Sequence, residues 1–216
     1  MPEVGAVVLA AGLASRYRAA GGQEVTKLVA ALDGEPIVRR VVRAALASRT
    51  RPVVVVVGHA RGAVEGALAG LPVQFAFNPD FASGLSSSLR TGLAALPAAV
   101  GGAVVLLGDM PKAEPALIDA LIRAFDAHPQ ASAAAPVRHG QRGNPVLLSR
   151  KLFTPAMRLS GDEGARRLLS QLDTAEMIDV DAGAWNASFD VDTPCDLEAS
   201  GCGFSERLPS SAIDKL

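Results

Sequence analysis

The sequence predicts a three-layer α/β fold, helix–sheet–helix, with a mostly parallel sheet. Three observations carry this expectation. Uninterrupted aliphatic runs at residues 4–10 and 52–57 have the composition of strands covered on both faces. Shorter apolar runs at 73–77, 103–107 and 131–136 continue the series. Between these runs lie segments whose apolar residues recur at helical spacing, and this alternation is the pattern of a parallel sheet with crossover helices.

Taken in order, the first run ends in Ala10-Ala11-Gly12, where small residues close a strand and open a loop. Ile37, Val38, Val41, Val42, Ala45 and Leu46 then repeat with a helical period, with Arg39, Arg40 and Arg43 on the other face. Pro36 stands at the start of this helix, where its missing N–H costs nothing. Gly84, followed by Ser86, Ser87 and Ser88, marks another helix start with N–H groups and hydroxyls to offer. Pro115 opens a further helix, in which Leu117, Ile118, Leu121, Ile122 and Phe125 form the apolar face. Residues 187–191 read as a last strand. Ligands of such a fold lie at the carboxyl ends of the strands.

Composition narrows the function. The chain has 216 residues, enough for a sizeable core in one domain, here residues 1–200. Residues 201–216 lose periodicity, mix Gly, Ser and Pro, and read as a C-terminal tail. With 21 basic and 22 acidic residues, no charge excess draws the chain to nucleic acid or anionic lipid. No stretch is apolar for long enough to span a membrane, and the N-terminus lacks the pattern of a secretion signal. The two cysteines, Cys195 and Cys202, make neither a disulfide framework nor a zinc site. A cytoplasmic protein with reduced thiols is expected. The dinucleotide fingerprint G-x-G-x-x-G and the P-loop are both absent.

The most informative segment is 7–27, in which an aliphatic strand breaks into Ala10-Ala11-Gly12-Leu13-Ala14-Ser15-Arg16 and Lys27 follows. Small side chains let successive N–H groups converge on phosphate oxygens, and the two cations offset the phosphate charge. An ordinary strand-to-helix turn beside solvated cations would have the same local composition. Asp109 follows the strand 103–107 with Gly108 between, and a carboxylate there faces the ligand crevice. It suits Mg²⁺, which takes one or two protein carboxylates and fills its other positions with phosphate oxygens and water. It would also suit the cap of a following helix. Asp190 and Asp192 close the run 187–191, and period-two spacing puts both on one side of a strand. We read all three as metal-ligand candidates, with Asp190 the stronger of the later pair. His59, His128 and His139 show no ligand spacing and read as structural or exposed.

The motifs occur in a telling order: Leu9-Ala10-Ala11-Gly12, Ser15-Arg16 and Lys27; Asn78-Pro79 and Gly84-Leu85-Ser86-Ser87-Ser88-Leu89; Leu107-Gly108-Asp109-Met110-Pro111; Arg142-Gly143-Asn144-Pro145; Gly161-Asp162-Glu163-Gly164-Ala165-Arg166; Asp190-Val191-Asp192. Together they resemble the MobA-like NTP transferase family, and within it the molybdenum cofactor cytidylyltransferases. The resemblance covers nearly the whole chain to about Leu197. It implies a Rossmann-like sheet of the nucleotide-diphospho-sugar transferase type. It also implies Mg²⁺-dependent transfer of a nucleoside monophosphate, CMP from CTP, to the terminal phosphate of molybdopterin with release of pyrophosphate.

By the same resemblance, Arg16, Lys27 and Asp109 are catalytic. Leu9, Ala10, Ala11, Gly12, Ser15, Arg16, Lys27, Asn78, Gly84 and Ser86 bind the nucleotide. Arg142, Gly143, Asn144, Pro145 and Asp162 form the acceptor side. From spacing alone, 142–145 is a hairpin turn and Asp162 caps a helix running to Leu169. A molybdoenzyme or its chaperone is the implied protein partner. Two departures stand out: Tyr17-Arg18 replaces the usual Met-Gly or Phe-Gly after the arginine, and residues 19–25 look inserted before Lys27, a loop that would close over bound nucleotide. The readings that compete are a guanylyl-, sugar-phosphate or alditol-phosphate nucleotidyltransferase, a non-catalytic nucleotide-binding chaperone, and a nicotinamide-dependent oxidoreductase. The last needs a dinucleotide site that the sequence lacks.

Overall fold

Strand β1 (Val4–Ala10) is buried along its whole length and sorts its side chains by parity. Val4, Ala6, Val8 and Ala10 enter one core, whereas Val7 and Leu9 enter another on the opposite face. This is the period-two consequence of a strand covered on both sides, and it explains why the run shows no polar alternation. A computed structural model of the chain describes residues 3–183 and Cys195, without the side chain of Arg16.

In chain order, β1 leads to the short helix α1 (Ser15–Ala19) and a 3-10 turn at Lys27–Val29. The small hairpin β2 (Ala31–Leu32) and β3 (Glu35–Pro36) follows, then α2 (Ile37–Ala47), β4 (Val53–Val57), α3 (Arg61–Ala67) and β5 (Gln74–Phe77). The second half contains α4 (Leu85–Ala95), β6 (Gly102–Leu107), α5 (Pro115–Ala127), β7 (Ala133–Arg138), β8 (Gln141–Arg142), β9 (Val146–Ser149), α6 (Phe153–Ala156), α7 (Ala165–Leu169) and β10 (Met177–Asp181).

The main sheet runs β10-β7-β9-β6-β1-β4-β5, with β8 paired to β7. Around β1 every pairing is parallel, with Leu9 opposite Val56 on one side and Leu107 on the other. The expected parallel sheet is therefore present, and β9 is an antiparallel insertion between β6 and β7. Helices α2 and α5 bury Val38, Val41, Val42, Ile118, Leu121 and Ile122 against one face. Helix α4 buries Leu89 and Leu93 against the other. The hairpin turn expected at 142–145 lies instead at His139 and Gly140, between β7 and β8, both with positive φ, 51° and 75°, and Arg142 is a residue of β8.

Because β4 and β6 flank β1 and the chain departs to opposite sides, the switch point of the topology lies at the carboxyl ends of β1 and β6. The strand expected at 187–191, with Asp190 and Asp192, lies outside the described residues, as does Cys202. Cys195 is an exposed free thiol. No helix among the described residues is long and apolar enough to cross a membrane.

Candidate active site

At that switch point is a cleft of about 480 Å³, lined by both strand ends, the 11–15 loop, the Lys27 turn and the start of α4. The loop leaves β1 at buried Ala11, is exposed at Gly12 and Leu13, and reverses at Ala14. Ala14 sits in the left-handed region (φ 51°), a conformation that costs an L-residue about 1–2 kcal/mol and that packing must hold in place. Nothing lies within 4 Å of where a Cβ on Gly12 would project. Leu9, Ala11, Gly12 and Ser15 line the cleft as expected, whereas Ala10 does not and belongs to the core beneath. Arg16 lies on α1, and its side chain is outside the description.

Lys27 is aimed by its neighbours. Thr26 is buried and accepts the Leu28 N–H at 3.5 Å, opening the 3-10 turn, and Leu28 anchors that turn in the core. Lys27 Nζ then lies 2.7 Å from Asp109 Oδ2, with the two side chains 13% and 22% exposed. The alternative role for Asp109 is not realised: the next helix starts at Pro115, after Glu114, with no side-chain cap. A partly desolvated ammonium–carboxylate pair of this kind gives strong local polarity and little net stability.

The Asp109 carboxylate faces a cleft large enough for phosphate oxygens and water. Its hard oxygen donors fit a divalent cation of the Mg²⁺ type, which needs only one or two such carboxylates. Among the described residues no cluster of three or more His, Cys, Asp or Glu is gathered.

Helix α4 forms the opposite wall. Gly84 has φ 107°, and a Cβ there would overlap the backbone of Gly161, so two backbones touch where neither has a side chain. Ser86 N donates to Gly161 O at 3.1 Å, and Leu85 N donates to Asp162 Oδ1 at 3.4 Å. Asp162 therefore caps α4, not the helix that follows it in sequence, and α7 starts after Gly164 without a side-chain cap. Gly84 and Asp162 line the cleft; Ser86 is buried and does not. The first N–H groups of α4, expected to face a ligand, are thus bound by the 161–162 loop.

Asn78 also departs from expectation. It is buried, its Nδ2 donates to Ser87 Oγ (2.8 Å) and Ser88 Oγ (3.0 Å), and its Oδ1 accepts from Asp80 N (3.0 Å). It ties the 78–80 turn to α4 and does not line the cleft. Of the three serines at this helix start, Ser88, and not Ser86, lines it. By accepting from Asn78, Ser88 is left with its own proton directed elsewhere.

Arg142, Gly143, Asn144 and Pro145 are not among the cleft-lining residues. Arg142 pairs with Asp179 through two bonds of 2.6 and 3.3 Å at the exposed β8–β10 rim. The hydrogen bond to Asp179 raises its pKa further, against a small opposing effect of burial. Gly143 N donates to Pro136 O at 2.8 Å, and the Asn144–Pro145 peptide is cis. His59 packs on Phe81 with ring centroids 5.9 Å apart, and His128 Nδ1 meets Ala124 O at 2.8 Å, both structural uses.

Residues 6–176 match the MobA-like NTP transferase domain. A bifunctional protein GlmU from Syntrophotalea carbinolica is 32% identical over 150 residues, 69% of this chain and 31% of that protein. The chain thus spans about a third of the length of the curated relatives it matches. Among solved structures, a nucleotidyl transferase from Methanothermobacter thermautotrophicus superposes with a TM-score of 0.78 at 26% identity, covering 92% of this chain and 95% of that one. Rv0371c from Mycobacterium tuberculosis H37Rv, in complex with manganese, gives 0.72 at 25% identity, covering 91% and 97%.

Proposed function

The chain belongs to the MobA-like NTP transferase family, and from that premise we propose that it transfers CMP from CTP to the terminal phosphate of a molybdopterin-type acceptor, releasing pyrophosphate. The activity resides in residues 1–200. The single observation that carries the reading is the Lys27–Asp109 pair, 2.7 Å apart, in a cleft at the carboxyl ends of β1 and β6.

The triphosphate lies along the 11–15 loop, with Lys27 and Arg16 as its cations. Lys27 offers a point charge and Arg16 a planar fork suited to phosphate oxygens. An acceptor phosphate oxygen attacks the α-phosphorus in line, the bond to the bridging oxygen breaks, and pyrophosphate departs. No protein nucleophile is needed, and because the acceptor phosphate is already ionised no strong general base is needed either. The residues work by alignment and by stabilising charge on the transferring group. Magnesium held by Asp109, with Asp190 and Asp192 as further ligands, would neutralise phosphate charge. The 161–162 loop, through Asp162, supplies the acceptor side, and a molybdoenzyme or its chaperone takes the product.

The test is to incubate the protein with Mg²⁺, each nucleoside triphosphate and molybdopterin, and to measure pyrophosphate. Release with CTP that depends on molybdopterin supports the reading. Release that depends on a sugar phosphate replaces the acceptor. Tight nucleotide binding with no turnover favours a non-catalytic role.

A further inference from the structure

The stretch between α1 and Lys27 read as an inserted loop free to close over nucleotide. The structure folds it onto one aromatic side chain. Tyr17 is buried with Ala30, Leu32 and Ile37, and Ala14 of the cleft-lining loop packs against the same cluster. Ala30 is the residue that ends the Lys27 turn: its N–H donates to Lys27 O at 3.1 Å, and its own carbonyl accepts from Ile37 N at 3.0 Å. One small cluster built around Tyr17 therefore joins both phosphate-facing pieces of the cleft, the loop upstream through Ala14 and the turn downstream through Ala30.

The residues between are fastened to the same tyrosine. Gly21 N donates to Arg18 O at 3.1 Å, and Gly22 N donates to Tyr17 O at 3.0 Å. Position 22 has no space for a side chain, because a Cβ there would overlap the Tyr17 ring. Tyr17 Oη donates to Glu24 Oε2 at 2.6 Å, a short charge-assisted bond. Two residues later the chain enters buried Thr26 and then Lys27. Burial, and then Glu24, push the Tyr17 pKa up to about 12.

We propose that Tyr17 is a positioning residue: with Gly22 and Glu24 it sets the spacing between the 11–15 loop and Lys27, and residues 18–25 are a fixed brace of the site, not a lid. The kinetic part of this proposal rests on the nucleotidyl-transfer reading, whereas the brace does not.

The experiment compares Tyr17→Phe, Gly22→Ala and the exposed control Arg18→Ala in the full chain. Tyr17→Phe keeps the buried ring and removes only the bond to Glu24. It is expected to lower kcat roughly tenfold with nucleotide KM nearly unchanged, the sign of a group misaimed in the transition state. Gly22→Ala should lower it further, and Arg18→Ala should not lower it. In a double-mutant cycle Tyr17→Phe should add almost nothing to Lys27→Ala, because it acts through that lysine. Full additivity would reduce Tyr17 to a structural residue and overturn the proposal. Hydrogen exchange reads the brace without any activity. The Gly21 and Gly22 amides should be protected in the nucleotide-free protein and lose protection in Tyr17→Phe. Unprotected amides that become protected only with CTP would make the segment a lid and overturn the proposal, even if transfer is confirmed. Absence of turnover with every triphosphate would remove the kinetic reading and leave exchange to decide.

Discussion

Lys27 and Asp109 meet at 2.7 Å across the cleft, each reaching it from a different element, a 3-10 turn and the exit of β6. The group suited to phosphate and the group suited to a cation thus neutralise one another before substrate arrives. Asp109→Asn keeps the size of the side chain and removes its charge. Mg²⁺-dependent turnover should fall by about 10²–10³-fold, the scale for losing one preorganised electrostatic group. Circular dichroism should show an unchanged fold. Turnover within a few-fold of wild type would remove Asp109 from the reaction.

Lys27→Ala should lower kcat more than it raises the KM for nucleotide, provided the ammonium acts mainly on charge that develops in the transition state. A change confined to KM would instead make Lys27 a tether for the bound triphosphate. Steady-state kinetics with varied CTP separates the two outcomes.

Two glycines, Gly12 after β1 and Gly58 after β4, should respond differently to one added methyl. At Gly12 the Cβ meets nothing within 4 Å, so Gly12→Ala should change folding stability by no more than about 0.5 kcal/mol while weakening nucleotide binding. At Gly58 the Cβ would lie 2.7 Å from Phe81 Cβ and 2.9 Å from Ala11 O, and Gly58→Ala should cost about 1–3 kcal/mol of stability. Thermal melts and calorimetric CTP titrations check both; a destabilised Gly12→Ala protein would show that the loop constrains itself without ligand.

Base choice is expected to turn on Ala11, a buried residue at the edge of the cleft-lining loop. A methyl-sized difference in a pocket is worth about 1–3 kcal/mol, so CTP should be preferred over GTP without excluding it. Ala11→Gly should relax the preference only partly in a direct CTP–GTP competition. GTP winning with the unaltered protein would reassign the base.

Alkaline pH should reveal Tyr17. Its ordinary pKa of 10.0 applies to the unfolded chain, and the folded chain holds it at about 12. Between these values the folded state binds more protons than the unfolded one, so stability is full below pH 10 and falls as pH rises toward 12. Denaturant titrations across this range should show a steeper loss for the wild type than for Tyr17→Phe. Equal slopes would mean that Tyr17 titrates normally.

Much of the fold was legible because its central strands are covered on both faces and show as unbroken aliphatic runs. Strand β9 was not, since Val146, Leu147 and Leu148 say nothing of direction and an antiparallel partner needs no special composition. The Lys27–Asp109 half of the site was legible because each residue is fixed by its own local motif. Asp162 was only half legible: a capping carboxylate could be read, but its partner Leu85 lies far back in the sequence and spacing cannot reveal it. Asn78 was assigned to ligand because an amide suits a cleft as well as a buried turn, and only its serine partners decide between them. Arg142 was placed beside the acceptor on its motif, whereas its partner Asp179 is visible only once β10 is paired to β7.

The contact between Gly84 and Gly161 contains no side chain that could rotate or compress. With Ser86 N bonded to Gly161 O, and Arg90 donating to the Leu159 carbonyl, the 159–162 loop takes its position from α4. Asp162 and the start of α4 are thereby held in one register. Two reactants that must meet in one orientation ordinarily surrender translational and rotational freedom at the moment of encounter. Here two walls of one cleft are already in register, so any such loss of freedom on the protein's side was settled when the chain folded.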